Sequence, residues 1–487
     1  MNHTIPLAVL AAAVLLAACA DAPNDPAAGG GAPGRLTILA PSAAVVVGAD
    51  DAGGRLVVRG RIASVAAPRI TYRLDDAAER AFTGPIDPRD GDFTLTIRGL
   101  PLGTRHLELR LHDGDRLSAS ASFTVHVAPR MREIVVPAGA GHAFPTAINA
   151  RGDVTGYWTD PAMGGWHALL ALHDGHVLDL RLAGEWRSAA PGLDGAGDAV
   201  GYVVDRPDGE PRPVRWRAGE AQALLDRPGT ATVINDEGLI GGSMPDEDGI
   251  PRAFALRGST LTLFGEPGRL SGVRGINRVG AMVGASYGRA GDVTGFVYAN
   301  GTLTTLPSLG GVRTFAEAIN DAGTIVGYSA DAAGSAFLAF AYRDGKMERL
   351  PGVEGSIVAS YAYDVNASGM IVGELIDARD GVALNRGFLH VGGRTVPLDE
   401  LLGLSTHAVV AAYGINDRGE IAAAAVRLDD PTGRIRPVVL AVPGGIDAVA
   451  SLRSAAPVAP RAHLSTAVAT RSGATLAEVR ARRQRAP

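Results

Sequence analysis

The chain has 487 residues, including 64 glycines and 30 prolines, and 46% of its residues are hydrophobic. Glycine is present at nearly twice its usual share of about 7%, which argues against a helical bundle or coiled coil, and a charged share of only 20% argues against a charged disordered chain. A net charge of −5 gives no sign of nucleic-acid binding. We therefore expect an all-β protein of several domains, with glycines at its turns.

The first residues carry a targeting pattern. An apolar run, residues 7–16, is too short to span a bilayer, so we predict a signal peptide over residues 1–18. The ending Leu16-Ala-Ala-Cys19 resembles the bacterial lipobox, and Cys19 is the only cysteine in the chain. That resemblance implies lipidation of Cys19 and a membrane anchor. Residues 19–34 then form the lipidated cysteine and a flexible tether. An ordinary secretory signal, in which Cys19 is incidental, stays open.

Period-two alternation of apolar residues begins at residue 35 and predicts about seven short strands. Short strands separated by Gly, Asp and Pro turns are typical of an immunoglobulin-like β-sandwich, which we predict for residues 35–128. The clearest strand segments are 36–39, 55–59, 70–74, 93–97, 107–111 and 122–127.

An acidic run in this domain, Asp87, Asp90 and Asp92, offers carboxylates for a calcium ion. Its spacing differs from the Asp-x-Asp-x-Asp-Gly loop of calcium sites, and Asp-Gly after a proline is an ordinary hairpin turn. We interpret the run as a turn, with calcium as a weak alternative. No other metal or cofactor is predicted.

Internal repetition dominates residues 131–443. Seven copies contain Asn or Asp, three residues later Gly, then apolar residues and a second Gly, which is Ala423 in copy seven, at intervals of 41 to 50 residues. We assign the Asn or Asp and the first Gly of each copy a structural role, because Asn or Asp can hydrogen-bond the backbone two residues on and Gly supplies a positive φ. The first positions are Asn149, Asp194, Asn235, Asn277, Asn320, Asn366 and Asn416, and the turn glycines are Gly152, Gly197, Gly238, Gly280, Gly323, Gly369 and Gly419.

Each copy has room for four antiparallel strands, as copy five shows with residues 315–320, 324–328, 337–342 and 346–350. Seven such copies predict a seven-bladed β-propeller over residues 131–443. Copy seven has no fourth strand of its own, and an unpaired strand, residues 132–136, precedes copy one. We predict that residues 132–136 pair with residues 436–442 and close the ring.

Copy five also carries a family resemblance. Residues 306–311 read Leu-Pro-Ser-Leu-Gly-Gly, residues 318–327 read Ala-Ile-Asn-Asp-Ala-Gly-Thr-Ile-Val-Gly, and Ala-Phe at 336–337 and Asp-Gly at 344–345 follow. This run resembles the HAF family of extracellular repeats, and copy one holds Trp-His-Ala-Leu at 166–169 in the slot that names the family. The resemblance implies secretion and a β-propeller-like fold, and it brings no catalytic residues.

Acidic residues lie in the connections between the second and third strands of every copy. Successive connections of this kind fall on one face of a propeller, so we predict a rim there for a cation, a glycan or a protein loop. The alternative is that these residues are solvated parts of Asp-Gly turns. The rim acids of this hypothesis are Asp160, Asp205, Asp208, Asp246, Asp248, Asp292, Asp331, Asp377, Asp380, Asp429 and Asp430.

Copy one also contains His167, His173 and His176. His167 and His173 would lie about 20 Å apart along one strand, so they cannot share a metal ion. We interpret all three as surface histidines.

The functional hypothesis is a lipid-anchored protein of a bacterial cell envelope, in the outer membrane and periplasmic or surface-facing, with a propeller that binds a glycan or an envelope protein. One alternative is an enzyme that acts on extracellular polysaccharide through carboxylates on the propeller face. A second alternative is a structural subunit of an envelope complex, which an exposed apolar patch would favour. Residues 444–487 are predicted to be a disordered basic tail.

Overall fold

A computed structural model of the protein describes residues 34–40, 45–50, 53–101, 103–352, 357–379, 382–404 and 406–442. These residues are mostly β-strand and include one short helix, α1 (Leu398–Leu402), so the all-β prediction is confirmed. None of the helical structure in these ranges is long and apolar enough to cross a membrane. The chain divides into two compact bodies, one including residues 58–96 and 105–125 and the other including residues 97–104 and 126–442. Cys19, Asp380, the signal peptide and the basic tail lie outside the described residues.

The N-terminal strands are hydrogen-bonded into one sheet. Their bounds are β1 (Arg35–Ala40), β2 (Val45–Asp50), β3 (Gly53–Ala63), β4 (Pro68–Leu74), β5 (Arg80–Ala81), β6 (Asp92–Leu100), β7 (Gly103–Asp113) and β8 (Arg116–Pro129). The strand order is β1-β3-β2-β8-β7-β4-β5, and β6 pairs with β3. All six segments with alternating residues lie within these strands. In β6, for example, Phe93, Leu95 and Ile97 are buried. The immunoglobulin-like arrangement of these strands stays a prediction.

The acidic run in this part of the chain forms a turn. The Asp87 carboxylate accepts the Arg89 N–H at 2.8 Å, and the Asp90 carboxylate accepts the Asp92 N–H at 3.2 Å. The Arg61 side chain donates hydrogen bonds to Asp92 and lowers the pKa of that carboxyl group. All three carboxylates therefore have partners within the protein.

The remaining strands form four-stranded antiparallel repeats. Five of these repeats are separate sheets, and an eight-stranded sheet contains two more, joined by a single parallel pairing of Val293 with Arg313. Each repeat is numbered from 1 to 7 in chain order. Repeat 1 comprises β10 (Ala143–Ile148), β11 (Val154–Asp160), β12 (Gly165–Ala171) and β13 (Val177–Asp179). Repeat 2 comprises β14 (Arg187–Leu193), β15 (Ala199–Val204), β16 (Arg212–Arg217) and β17 (Glu220–Ala223). Repeat 3 comprises β18 (Thr230–Ile234), β19 (Leu239–Pro245), β20 (Pro251–Arg257) and β21 (Thr260–Phe264). Repeat 4 comprises β22 (Leu270–Ile276), β23 (Met282–Tyr287), β24 (Val293–Ala299) and β25 (Thr302–Thr305).

Repeats 5 to 7 complete the series. Repeat 5 comprises β26 (Gly310–Ile319), β27 (Ile325–Asp331), β28 (Phe337–Arg343) and β29 (Lys346–Arg349). Repeat 6 comprises β30 (Ile357–Val365), β31 (Ile371–Arg379), β32 (Val382–Val391) and β33 (Arg394–Pro397), after which α1 follows. Repeat 7 comprises β34 (His407–Ile415), β35 (Glu420–Arg427), β36 (Ile435–Ala441) and β9 (Met131–Glu133).

The seventh repeat thus takes its fourth strand from the chain ahead of repeat 1. Glu133 lies opposite Val438, and the Ile134 N–H donates to the Pro437 carbonyl oxygen at 2.9 Å. The predicted partners, residues 132–136 and 436–442, do pair, over a shorter stretch than predicted. Repeat 7 also packs on repeat 1, because Phe144 belongs to the same buried cluster as Val410.

The Asn turns join the first and second strands, and in six of the seven repeats the Asn side chain donates a hydrogen bond to the next repeat. In repeat 5 the Asn320 side-chain oxygen accepts the Thr324 N–H at 2.9 Å, and Gly323 has a φ of +81°. The Asn320 Nδ2 donates across to the Asn366 carbonyl oxygen of repeat 6 at 2.9 Å. Equivalent donations start from Asn149, Asn235, Asn277, Asn366 and Asn416. The Asn416 Nδ2 reaches Asn149 of repeat 1 at 3.0 Å, so this series of bonds returns to its start.

Third strands supply the core between repeats. Phe254, Phe296, Phe340 and Phe388 occupy one position in four repeats, and each is at most 1% exposed. Burying such a side chain contributes about 2–3 kcal/mol. The residue before the phenylalanine is small in each case. In repeats 3 and 5, the N–H of that alanine donates to a serine of the next repeat, from Ala253 to Ser271 Oγ and from Ala339 to Ser360 Oγ.

Candidate functional site

Four rim acids lie at the same position in their repeats, and each has its own partner of a similar kind. Each lies four residues after the second glycine of its repeat, at the end of the second strand. Each faces a cationic or ionisable residue on the third strand of the same repeat. The pairs are Asp160 with His167 at 3.8 Å, Asp205 with Arg212 at 2.8 Å, Asp246 with Arg252 at 3.5 Å and Asp377 with Arg386 at 3.8 Å. These acids therefore have partners inside their own sheets.

The other described rim acids divide into paired and free carboxylates. Asp292 is bound by Arg269 at 2.7 Å and Asp429 by Arg427 at 2.8 Å. Asp331 accepts the Ser335 hydroxyl at 2.7 Å, and Asp430 accepts the Thr432 hydroxyl at 2.6 Å. The exposed residues Asp208 and Asp248 stay available to solvent.

These partners keep the carboxylates ionised. The side-chain hydrogen bond from Arg269 lowers the pKa of Asp292, the Ser335 hydroxyl lowers the pKa of Asp331, and Arg427 lowers the pKa of Asp429. A general acid of a glycosidase needs a pKa shifted in the opposite direction. Among the described residues, no three His, Cys, Asp or Glu side chains are placed to share a metal ion.

The first strand of each repeat contains an irregularity that the sequence analysis missed. Its register against the second strand slips by one residue, which is the pattern of a β-bulge. The slipped positions are Thr146, Thr232, Arg274, Glu317, Tyr363 and Tyr413, and in repeat 2 the slip includes Ala190 and Pro191. Beside the slip, a Cβ added to the second glycine, such as Gly327, would collide with the Phe315 carbonyl oxygen. Close backbone approach therefore requires a glycine here in repeats 1 to 6, whereas repeat 7 has Ala423 at this position.

Residues at these slipped positions contact each other between repeats. Arg274 of repeat 4 binds Glu317 of repeat 5 at 3.1 Å and donates to the Tyr287 hydroxyl at 2.8 Å. Burial alone would lower the pKa of Arg274, but the Glu317 carboxylate and Tyr287 outweigh it and raise that pKa well above its usual value. Tyr363 and Tyr413 stack with their ring centroids 5.4 Å apart. Two pairs of slipped positions thus join neighbouring first strands side chain to side chain, between repeats 4 and 5 and between repeats 6 and 7.

Two acidic residues of repeat 6, Glu374 and Asp364, each accept hydrogen bonds from within the protein. Glu374 is 1% exposed and accepts the Tyr363 hydroxyl at 3.0 Å as well as the Asn385 amide. Asp364 accepts the Ile415 N–H of repeat 7 and the Val365 N–H, each at 2.8 Å. Burial raises the pKa of Asp364 to about 6, although these backbone donors act to lower it.

A pocket of about 310 Å³ opens between repeats 5 and 6. Val312 and Val358 hold the same position in their repeats, eight residues before the Asn of the turn, and they are 72% and 50% exposed. Phe337 and Tyr361 also line the pocket, together with Arg313 and the small residues of the connection that follows Asp331. Because first strands start here and end at the Asn turns, the pocket lies at the opposite end of the repeats from those turns. This pocket is the candidate functional site.

An aromatic cluster supports the pocket from below. Phe337 and Tyr361 have ring centroids 6.1 Å apart, and Tyr328 lies 5.5 Å from Phe337 and 4.9 Å from Tyr361. Phe315 stacks on Tyr328 at 4.7 Å. Such tilted and edge-on ring contacts are stabilising and leave little room for rearrangement. The pocket is therefore held by a packed aromatic layer.

The interpretation of His167 as a surface residue is wrong. His167 is completely buried, and its Nδ1 lies 2.9 Å from the Glu185 carboxylate, which also accepts the Ser188 hydroxyl at 2.7 Å. Its third strand packs against repeat 2, and this contact removes it from solvent. His173 and His176 are largely exposed, as expected from the sequence.

Comparisons with known proteins give only distant similarities. The chain is similar to the β-propeller domain of the Trilobed protease from Pyrococcus furiosus, described with an open velcro topology, at 8% identity and a TM-score of 0.38, over 74% of this chain and 97% of that one. It is similar to a DUF4784 family protein from Bacteroides caccae at 11% identity and a TM-score of 0.28, over 74% and 95% of the chains. A third similarity is to the Bacteroides ovatus mixed-linkage glucan utilization locus protein SGBP-B, at 13% identity and a TM-score of 0.15, over 60% and 71%. No protein-family model and no curated protein sequence matches the chain, so the HAF resemblance stays a prediction.

Proposed function

We propose that this chain is a cell-envelope protein whose residues 131–443 form a closed seven-bladed β-propeller that binds a protein partner. Closure is supported by β9, which completes repeat 7, and by the Asn bonds, which run from repeat to repeat and return from Asn416 to Asn149. Packing of Phe144 with Val410 supports it further. The immunoglobulin-like domain is the spacer of this proposal, and lipid on Cys19 is its anchor.

The observation that carries the binding function is the pocket between repeats 5 and 6. Val312 and Val358 line it with exposed branched apolar side chains, and Phe337 and Tyr361 line it with their rings. An apolar patch with aromatic residues and an arginine is characteristic of the centre of a protein–protein interface. Glycan hydroxyl groups would lose water against these valines without gaining hydrogen bonds. A protein partner is therefore favoured over a glycan.

Site-specific photo-crosslinking in the full-length protein in cells tests the proposal. A benzophenone amino acid replaces Val358 in one variant and Val279 in a control. Val279 is 74% exposed but lies in the Asn turn of repeat 4, at the other end of the repeats. We expect a discrete adduct from position 358 that disappears when Val312→Asp is added, and no adduct from position 279. Equal adducts from both positions, or an adduct that survives Val312→Asp, would refute the binding site.

A further inference from the structure

We infer that the pocket recognises a peptide segment of its partner that places a carboxylate beside an apolar side chain, with Arg313 as the residue that binds the carboxylate. This inference rests on the proposed function and adds the chemistry of the ligand. It starts from one charged group, Arg313, in a pocket that is also lined by Val312, Val358 and two aromatic rings.

Arg313 is exposed and, among the described residues, has no ion-pair partner. Three other arginines on this side of the repeats are engaged: Arg252 with Asp246, Arg269 with Asp292 and Arg386 with Asp399. An exposed guanidinium can donate two parallel hydrogen bonds to a carboxylate. Arg313 therefore supplies the charge that a ligand would complement.

The neighbouring acids are held away from Arg313 by their own partners. Asp331, in the connection beside the pocket, accepts the Ser335 hydroxyl at 2.7 Å and the Ser335 N–H at 2.8 Å. Asp292 precedes Val293, the residue paired with Arg313, and its carboxylate is bound by Arg269. Both acids thus already have partners, which leaves the exposed Arg313 able to bind the carboxylate of a ligand.

The volume of the pocket and its apolar walls indicate what else the ligand contains besides the carboxylate. A volume of about 310 Å³ is at the small end of ligand pockets, which suits one apolar side chain and its neighbour. Val312 and Val358 form apolar walls that such a side chain would cover. A peptide with an apolar residue next to Asp or Glu satisfies both features, whereas an acidic sugar satisfies only the charge.

Fluorescence anisotropy with labelled hexapeptides and the full-length protein tests this inference. One peptide set holds Leu or Phe followed by Asp or Glu, and a matched set holds Asn or Gln in place of the acid. We expect the acidic set to bind about tenfold tighter or more, as hydrogen bonds to a charged group contribute. In Arg313→Gln this preference should vanish while the amide peptides keep their affinity. The control Arg349→Gln, at an exposed position on the fourth strand of the same repeat, should keep the preference.

The outcomes separate this inference from the proposed function. Equal binding of acidic and amide peptides, lost in Val358→Asp, would overturn the role of Arg313 and leave the binding site standing. Competition by oligogalacturonate as strong as by the peptides would overturn the choice of a peptide. Absence of any peptide binding would overturn the inference, and the crosslinking experiment would then decide the binding site separately.

Discussion

Asp194 interrupts the series of Asn bonds, and replacing it tests how much each bond contributes. Its Oδ1 accepts the Asp198 N–H at 2.8 Å, as the oxygens of the asparagines do four residues on. Its second oxygen therefore takes the place where the asparagines carry an NH₂ group that donates to the next repeat. Burial raises the pKa of Asp194, with the Asp198 carboxylate adding to the rise. Asp194→Asn restores a donor and removes a buried charge.

The expected gain can be worked from these contacts. A new buried hydrogen bond contributes about 1 kcal/mol, and loss of the buried charge brings the total to about 1–2 kcal/mol. Arg215, which lies 3.7 Å from Asp194, keeps its bond to Asp198. With an unfolding entropy of about 2.1 cal/mol/K per residue over about 310 residues, the melting temperature should rise by about 1.5–3 °C.

Differential scanning calorimetry of the full-length protein measures this change. A carboxyl group with a raised pKa favours the folded state when protonated, so the wild-type protein loses stability as pH rises through that pKa. The advantage of D194N should therefore be larger at pH 7 than at pH 4. The reciprocal variant Asn320→Asp removes the bond to Asn366 and should lower the melting temperature by about 3 °C or more. An unchanged or lower melting temperature of D194N at pH 7 would refute the reasoning.

Three further predictions concern other parts of the chain. The pKa of Asp364, raised by burial from 3.8 to about 6, corresponds to about 3 kcal/mol of stability that is present below pH 4 and lost as pH rises through 6. Urea unfolding from pH 3.5 to 7.5 should therefore show that the stability difference between wild type and Asp364→Asn changes across this window, and a constant difference would contradict the assignment. Ser271→Ala leaves the Ala253 N–H without its partner and should cost about 1–3 kcal/mol in the same assay, whereas Ser335→Ala, at an exposed turn, should stay within about 0.5 kcal/mol. Cys19→Ser should move the protein from the membrane fraction to the soluble fraction on cell fractionation, and continued membrane association would argue against lipidation.

The strands were predictable because their signals are local. Alternating residues and Asn or Asp-Gly turns place the second to fourth strands of repeat 5 within three residues of where they lie. Its first strand begins five residues earlier than predicted, at Gly310, because the Gly-Gly pair reads as a loop but Gly310 pairs with Asp331. The partner of β36 was predictable as well, because copy seven lacked a fourth strand and the strand ahead of copy one belonged to no copy.

The pocket and the slipped residues were not predictable in the same way. A slip of one residue moves a side chain to the other face of a strand, and period-two patterns do not encode where it occurs. Arg274 and Glu317 meet only because two separate repeats are placed side by side. The pairs of acids with cationic or ionisable residues could have been predicted from the sequence. An alignment of the copies puts their partners in one column and the acids in another, namely Asp160, Asp205, Asp246 and Asp377. Val312 and Val358 also occupy one column of such an alignment, but only two copies have valine there.

The pairing of β9 with β36 has a consequence for how the chain folds. Glu133 and Val438 are 305 positions apart, so bringing them together in an unfolded chain costs about 5 kcal/mol of loop-closure entropy. Repeats 1 to 6 each form from a continuous stretch of chain and carry no such cost. We expect these repeats to form first and the β9–β36 contact last. Because β36 is synthesised after all the other described strands, repeat 7 keeps an open strand edge until β36 is free to pair with β9, and aggregation is most probable in that interval.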